Sequence, residues 1–269
     1  MPELPEVETV ARQLQAATAG RTVAAVTVAD PHCLSSGDPA TLVGGCIAGW
    51  RRRGKYLLAD LGQVGLLVHL RMTGRLVVEP AVGPGARLVV DLAGGGAVIL
   101  YDRRRLGRVW VLARSDRTWQ GGPTTFDRLG PEPLAAGFHS RFVAGVLAGR
   151  RVSVKAALLD QRHFAGVGNI YADEALFLAR VRPDRPAGSL SDTEVRRLVR
   201  AVRQALRAGL ADGGTTFDSY VDAHRRQGRH RERLAVYGRA GQPCPRCGAP
   251  VAKTRLGGRG SHFCPVCQH

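Results

Sequence analysis

The residue with the most distinctive chemistry in this chain is Pro2, which follows Met1 and precedes Glu3. If Met1 is removed, the ring nitrogen of Pro2 becomes a free secondary amine. An α-amino group has a pKa of about 7.7–8.0, against about 10.4 for lysine, so far more of it is unprotonated at neutral pH. Such an amine can attack a sugar or carbonyl carbon and form an imine, with Glu3 as a proton donor. Met-Pro can also be simply a permissive start of a chain.

A second candidate centre consists of two cysteine pairs, Cys244 with Cys247 and Cys264 with Cys267. This spacing is typical of a four-thiolate zinc site. Because protein thiolates would fill all four positions, we expect one structural zinc ion with no place for a substrate. A segment of about thirty residues with few large apolar side chains needs the folding free energy that zinc supplies. The alternative, two disulfides, is typical of secreted proteins, and nothing marks this chain as secreted.

The charge of the chain predicts a polyanionic partner. Its 39 lysine and arginine residues outnumber 22 acidic residues, which leaves a net charge of +17. This excess favours nucleic acid, with an anionic membrane surface as a distant alternative. No apolar run reaches about 18 residues, so we expect no transmembrane helix. The first residues lack a basic and then apolar signal segment, which predicts a cytoplasmic protein.

The elements that position these residues change in type along the chain. Apolar spacings of three and four predict a first helix over residues 3–16. Short apolar segments broken by glycine or proline then predict a two-sheet sandwich. Its strands are expected over residues 22–28, 55–61, 65–70, 76–78, 87–92, 97–101 and 109–112. Helical spacing returns over residues 141–148, 154–161, 167–179 and 191–211, the last of these beginning with a capping box.

These patterns predict an α+β multidomain protein with three parts. An N-terminal β-sandwich with its own N-terminal helix would span residues 1–120. A helical domain would span residues 131–235, after a hinge rich in glycine and proline, and its polar, basic segment 213–235 is expected to contain a mobile loop. The zinc finger would occupy residues 236–269.

Six strings occur in a fixed order along the whole chain. They are Met1-Pro2-Glu3-Leu4-Pro5-Glu6-Val7-Glu8-Thr9-Val10, Gly54-Lys55-Tyr56-Leu57-Leu58, His69-Leu70-Arg71-Met72-Thr73-Gly74, Asp102-Arg103-Arg104-Arg105-Leu106-Gly107, Gly166-Val167-Gly168-Asn169-Ile170-Tyr171-Ala172 and Val236-Tyr237-Gly238-Arg239. Together with the finger, they resemble the formamidopyrimidine-DNA glycosylase family.

The resemblance implies a bifunctional DNA glycosylase and abasic-site lyase of base excision repair. Such an enzyme removes oxidised purines, such as 8-oxoguanine and formamidopyrimidines, from damaged double-stranded DNA and cleaves the strand by β,δ-elimination. It also implies a helix–two-turns–helix element, and we expect a monomer.

The resemblance assigns catalytic roles to four residues. Pro2 matches the nucleophile that forms a Schiff base at C1′, and Glu3 matches the acid that assists sugar opening. Lys55 matches a lysine that holds the phosphate and assists elimination. Arg259 matches the finger arginine that grips the phosphate at the lesion. Glu6 matches a residue that lines the base pocket.

Other positions match residues that bind DNA. Met72, Arg104 and Leu106 match three residues pushed into the duplex where the damaged nucleotide has left, which would offset part of the cost of base flipping. The family's usual residue at position 106 is phenylalanine, and at position 87 it is histidine. Further matches to DNA ligands are Arg87, Arg150, Lys155 and Asn169. Asn169 stands before a helix, where free amides favour a phosphate, although a tight turn would have the same sequence.

The main departure from the family lies at Arg229-His230-Arg231, where members that cap oxidised guanine more often have aromatic or apolar residues. A preference for oxidised pyrimidines, as in endonuclease VIII-like relatives, or mainly abasic-site cleavage therefore remains an alternative. Leu4 and the complete finger favour the purine branch. A non-catalytic zinc-containing DNA-binding protein is an alternative of another class. It would leave Pro2, Glu3 and Lys55 unexplained together.

Overall fold

In the computed structural model, which describes residues 1–116 and 118–269, the first helix is α1 (Leu4–Thr18). Glu3 is its N-cap and forms a capping box with Glu6, which satisfies amides that the first helical turn leaves unpaired. The apolar stripe that predicts the helix is wholly buried, as Val10 shows. At the other end, Oε1 of Gln15 accepts a 2.6 Å hydrogen bond from the backbone nitrogen of Trp50. The helix is therefore fixed to the sheet at the end away from its N-cap.

Two antiparallel sheets follow α1 and enclose the core of the sandwich. One has the order β1-β7-β8-β6 and the other has the order β10-β9-β5-β4-β3, with the short β2 parallel to β9. The strands are β1 (Val23–Val28), β2 (Leu34–Ser36), β3 (Gly49–Arg53), β4 (Tyr56–Asp60), β5 (Val64–His69), β6 (Gly74–Glu79), β7 (Ala86–Leu92), β8 (Ala97–Asp102), β9 (Arg108–Ser115) and β10 (Thr118–Gln120). Leu57 and Val68 of one sheet, Leu76 and Leu100 of the other and Val10 of α1 share one buried cluster. The predicted helix and sandwich are thus confirmed.

Strand β3 shows where sequence patterning falls short. Its residues Arg51, Arg52 and Arg53 suggest a solvated phosphate-attracting cluster, yet they pair in register with β4. Only Trp50 of the strand is buried, and Arg52 forms a 2.8 Å ion pair with Glu8 of α1. Charges are tolerated in this strand because it lies at the edge of its sheet.

The remaining helices are α2 (Thr124–Asp127), α3 (Ser140–Leu147), α4 (Val154–Leu158), α5 (Asn169–Ala179) and α6 (Asp192–Ala211). Short 3₁₀ turns occupy Pro31–Cys33, Pro39–Leu42, Ala187–Ser189 and His230–Arg233. Helix α4 is shorter than predicted and ends at Leu158. Helix α5 begins two residues later than predicted, because Gly168 is an N-cap with extended backbone. Helices α5 and α6 pack closely at Gly209, where a β-carbon would overlap the buried ring of Tyr171.

The chain divides into two compact units. The first comprises residues 1–127 and 212–231, and the second comprises residues 128–211 and 232–269. Residues 212–231, which are predicted to belong to the helical domain, group with the sandwich. The second unit ends in an antiparallel hairpin of β11 (Ala252–Leu256) and β12 (Arg259–Phe263). Among the described residues, no helix combines the length and apolar character needed to cross a membrane.

Candidate active site

The residues that follow Met1 lie in a buried and polar setting, although Met1 itself is 40% exposed. Pro2 is buried, and Glu3 next to it is only 3% exposed. Burial lowers the pKa of the Met1 amino group below its usual value of 8.0, and Lys55 lowers it further, whereas Glu3 and Glu6 act in the opposite direction. The Met1 amine is therefore unprotonated more often than an amine in water, and a nucleophilic amine requires such surroundings.

Glu6 links the start of α1 to the segment 212–231. Its Oε2 accepts a 2.8 Å hydrogen bond from the backbone nitrogen of Glu3, and its Oε1 accepts one of 2.7 Å from the backbone nitrogen of Thr215. Gly214 passes close by with a φ of +89°, and a β-carbon there would lie 2.9 Å from Cγ of Glu6. The carboxylate thus positions Glu3. That Glu6 also lines a base pocket stays a prediction.

Lys55 reaches the same place from the turn between β3 and β4, where Gly54 supplies a φ of +58°. Its side chain is only 5% exposed, and its charge contributes to the low pKa of the terminal amine. Next to Lys55, Tyr56 of β4 pairs with His69 of β5, and their rings pack edge to face with centroids 4.6 Å apart. Burial, with help from Arg71 and Lys55, lowers the pKa of His69 to about 3, so this imidazole is neutral.

The three residues expected to enter the duplex lie on two neighbouring turns of the first unit. Met72 follows β5, and Arg104 and Leu106 lie between β8 and β9. All three are exposed, Met72 by 43% and Leu106 by 36%. Asp102, whose structural role the sequence does not reveal, joins the two turns. Its carboxylate accepts hydrogen bonds from the backbone nitrogens of Arg104 (3.1 Å) and Leu106 (2.8 Å) and from the hydroxyl of Thr73.

Asp30 binds the turn between β8 and β9 through Arg105. Both of its carboxylate oxygens accept hydrogen bonds from Arg105, at 2.8 and 2.7 Å. The hydrogen bond from Arg105 is the main reason why the pKa of Asp30 falls to about 2. Arg87 lies close by: its Nη1 is 3.8 Å from the same carboxylate, and its Nε donates to the carbonyl of Asp102 at 3.1 Å. Together with Arg75, Arg103 and Arg225, it lines a cavity of about 460 Å³ in this unit.

In the second unit, three residues predicted to bind DNA lie at or next to one backbone carbonyl, that of Gly260. The carbonyl oxygen of Gly260 accepts hydrogen bonds from Nζ of Lys155 (2.9 Å) and from Nδ2 of Asn169 (3.0 Å), and Arg259 precedes it with an exposed side chain. Oδ1 of Asn169 is buried, and among the described residues it has no hydrogen-bond partner. Arg150 lies elsewhere in this unit, where its guanidinium is 2.8 Å from Nε2 of His163.

The four cysteines beside the hairpin lie close enough to share one ion. Their Sγ atoms all lie within 4.8 Å of one another, and none forms a disulfide. A zinc ion about 2.3 Å from each sulfur needs sulfurs about 3.8 Å apart, so the cluster fits a tetrahedral site. Backbone nitrogens of Arg246 and Cys267 donate to Cys244 and Cys264, each at 3.4 Å, which orients two of the ligands. The disulfide alternative is therefore wrong.

Models of known protein families match most of the chain. Residues 1–109 match the formamidopyrimidine-DNA glycosylase N-terminal domain, residues 129–220 match the H2TH domain of the same glycosylases, and residues 241–269 match the zinc finger found in FPG and IleRS. The chain belongs to the formamidopyrimidine-DNA glycosylase family.

Individual relatives agree with this assignment. A formamidopyrimidine-DNA glycosylase of Moorella thermoacetica is 49% identical over 95% of both chains, and one of Symbiobacterium thermophilum is 45% identical over 100% of this chain and 89% of its own. Among solved structures, the MutM (Fpg) protein of Thermus thermophilus has a TM-score of 0.90 and 44% identity, covering 99% of this chain and 98% of its own. Lactococcus lactis Fpg in complex with abasic-site DNA has a TM-score of 0.89 and 32% identity, covering 99% of both chains.

Membership of the glycosylase family confirms the predicted fold class and cofactor. The sandwich with its N-terminal helix, the H2TH domain and the four-cysteine finger are all present, and the finger holds one structural zinc ion. Two further residues on α5, the helix that begins at Asn169, have structural roles. The carboxylate of Glu174 accepts three backbone hydrogen bonds from residues 235–237, at 2.8 to 2.9 Å, as a buried cap, and burial raises its pKa. Tyr171 packs against α6.

Proposed function

We propose that this chain is a bifunctional DNA glycosylase and abasic-site lyase that removes oxidised purines from double-stranded DNA. The observation that carries the proposal is the buried Pro2, which lies beside Glu3 at a chain end where burial and Lys55 lower the pKa of the Met1 amine. In a chain of this family, that arrangement supplies the nucleophile, the acid and the cation that the reaction needs. The proposal includes removal of Met1, which makes Pro2 the terminal residue.

The chemistry begins with Pro2. Its nitrogen forms a bond to C1′ of the damaged nucleotide while the bond from C1′ to the base breaks, and the base leaves with a proton. Glu3 gives a proton to the ring oxygen of the sugar as the ring opens, and the nitrogen lone pair completes an iminium ion. The iminium acidifies the 2′ hydrogens, so that β-elimination breaks the C3′–O bond. A δ-elimination then breaks the C5′–O bond and leaves a one-nucleotide gap.

Cationic residues hold the DNA for these steps. Lys55 and Arg259 contact phosphates at the lesion, and Arg87, Arg150 and the uncharged Asn169 support the strand. Met72, Arg104 and Leu106 fill the space that the flipped nucleotide leaves. Relatives from Lactococcus lactis have been crystallised with abasic-site DNA and with DNA that contains a formamidopyrimidine, which supports damaged duplex DNA as the partner. A net charge of +17 favours a soluble monomer, and we place the enzyme in the cytoplasm.

A preference for oxidised pyrimidines remains the second candidate because of the basic residues after Gly228. His230 is buried and its Nδ1 lies 2.7 Å from Oδ2 of Asp212, so it does not present an aromatic face at the surface. The guanidinium of Arg231 stacks over the exposed ring of Phe217 at 5.1 Å. In this second candidate function, Phe217 and Arg231 are the residues of the segment proposed to cap the base.

A strand-nicking assay on matched duplexes tests the proposal. The duplexes carry 8-oxoguanine, a formamidopyrimidine, thymine glycol or an abasic site, and the ends of the products are analysed. We expect cleavage of the two oxidised purines and of the abasic site, with phosphate at both ends of the gap. Faster cleavage at thymine glycol would instead support the pyrimidine preference, and tight binding without any nicking would support a non-catalytic DNA-binding protein.

A further inference from the structure

A buried ion pair in the second unit joins a helix to the finger hairpin. Asp173 of α5 is wholly buried, and its Oδ1 lies 2.6 Å from Nζ of Lys155, which is itself only 1% exposed. The same carboxylate accepts hydrogen bonds from the hydroxyl of Ser261 (3.2 Å) and from the backbone nitrogen of His262 (2.8 Å). Asp173 therefore contacts α4 through Lys155 and β12 through two successive residues.

The other side of this network is the Gly260 carbonyl. Nζ of Lys155 and Nδ2 of Asn169 both donate to this oxygen, so two residues expected to bind DNA hold the backbone next to Arg259. An ammonium group has three N–H donors, and here two of them are directed to Asp173 and Gly260. Lys155 is thus placed to fix the hairpin rather than to extend toward a phosphate.

Burial of both charges makes this arrangement costly unless every polar group is satisfied. Hydrophobic residues of similar size often stabilise a protein as well as a buried ion pair does, so stability alone does not account for the pair. An apolar pair in place of Lys155 and Asp173 would lack the ammonium group that donates to the Gly260 carbonyl. It would also lack the carboxylate that accepts hydrogen bonds from β12. Both of these fix the register of the hairpin against the start of α5.

We propose that Asp173, through Lys155, is a positioning residue that sets Arg259 in its phosphate-binding place relative to Asn169. The inference rests on the proposed function, because it takes Arg259 as a ligand of the lesion phosphate. It assigns Asp173 a role in DNA binding at a distance and changes the role of Lys155 from a DNA contact to a support of the finger.

The test measures how the affinity for a duplex with a non-cleavable abasic-site analogue depends on salt. Each phosphate contact contributes about 0.9 to the slope of log affinity against log salt. The key variant is Lys155→Met with Asp173→Asn, which leaves no buried charge alone and keeps an oxygen acceptor for β12. We expect its slope to fall by about one, as in Arg259→Gln, while its thermal midpoint stays close to that of the wild type.

The decisive comparison combines the two changes. Adding Arg259→Gln to the double variant is expected to lower the slope no further, because the contact is already lost. A wild-type slope in the double variant, or losses that add in the triple variant, would overturn the proposal. As a matched control, Glu194→Gln breaks the 2.5 Å ion pair with Arg185 elsewhere in this unit. It should lower stability without changing the slope.

A milder variant keeps the proposal testable if the double variant does not fold. Ser261→Ala removes only the hydroxyl that donates to Asp173 and keeps both charges of the ion pair. It should weaken binding by about two- to tenfold, the range of one lost hydrogen bond, and the effect should vanish in the Arg259→Gln background. An equal weakening in both backgrounds would contradict the proposal. Since these readouts measure binding, failure of the wild type to nick damaged DNA would refute the proposed function separately.

Discussion

The backbone nitrogen of Glu3 donates a 2.8 Å hydrogen bond to Oε2 of Glu6, three residues along the same helix. The other oxygen of Glu6 accepts from Thr215, so one carboxylate fixes both the residue beside Pro2 and the segment that follows α6. A shift of about 1 Å at a catalytic group can cost about a hundredfold in rate. The placement of Glu3 is therefore expected to be sensitive to changes around Glu6.

Gly214→Ala tests that sensitivity. The new β-carbon would meet Glu6 at 2.9 Å, and alanine would also be strained by the φ of +89°. Gly44→Ala is the matched control, because Gly44 has a φ of +80° with nothing within 4 Å of a β-carbon. We expect Gly214→Ala to lower the free energy of unfolding by about 1–3 kcal/mol more than the control, and to slow excision at least about tenfold. Denaturant titration and single-turnover cleavage measure both. Equal effects of the two substitutions would show that Glu6 is not displaced.

Arg225 and Glu79 offer a second test, in the segment 212–231. The guanidinium makes two contacts with the carboxylate, one of them 2.9 Å from Nη2 to Oε2, and stacks over Tyr101 at 5.0 Å. Arg225 has a φ of +62°, which favours glycine. Arg225→Gly removes the ion pair but relieves this strain, so it should destabilise the protein less than Glu79→Gln does. Both should speed amide hydrogen exchange in residues 222–226. Unchanged exchange in both variants would show that the pair does not hold the segment.

His69 predicts a pH dependence. Burial lowers its pKa to about 3, against about 6.5 in an unfolded chain, so below pH 6.5 the unfolded state binds a proton that the folded state does not. The free energy of unfolding should therefore fall as the pH drops below about 6.5, by up to about 1.4 kcal/mol per pH unit from this group. His69→Asn keeps an acceptor for the backbone nitrogen of Arg71, which donates to Nδ1 at 3.0 Å. Denaturant titrations at pH 7.5 and 5 should show a shallower loss in this variant; identical losses would contradict the assignment.

Zinc removal should unfold the finger. Structural zinc contributes an apparent free energy of about 10–16 kcal/mol, and three of the four cysteines belong to the small buried cluster of the finger. A strong chelator should therefore abolish DNA cleavage, because Arg259 loses its place, and re-addition of zinc should restore it. Elemental analysis should give one zinc per chain, and Cys247→Ser should lower that content. Full cleavage by metal-free protein would contradict a structural role for the ion.

Much of the fold could be predicted from the sequence because periodicity and burial agree. The apolar stripe of α1 predicts the helix, and the short apolar runs predict the sandwich. Strand β3 could not be recognised, because an edge strand with three arginines lacks the alternation of a half-buried strand. The grouping of residues 212–231 with the sandwich depends on tertiary contacts such as that between Glu6 and Thr215. Local composition carries no signal for such a contact.

Site residues that belong to a motif could be predicted from the sequence. Single residues that hold other site residues in place could not. Pro2 and the cysteines stand out by type and spacing. Asp102, Asp30 and Asp173 are acidic residues whose importance lies in the backbone groups and arginine or lysine partners that they hold. Asp102 stands first in one family string, but nothing in that string shows that its carboxylate joins two turns.

The proposed mechanism depends most on the nitrogen of Pro2 as the nucleophile, and borohydride trapping tests this role directly. Protein with Met1 removed is mixed with abasic or 8-oxoguanine duplex and reduced, and the cross-linked peptide is identified by mass spectrometry. We predict one adduct on the nitrogen of Pro2, and none on that nitrogen in a form that retains Met1. An adduct on Lys55, or no adduct although the strand is cut, would contradict the account.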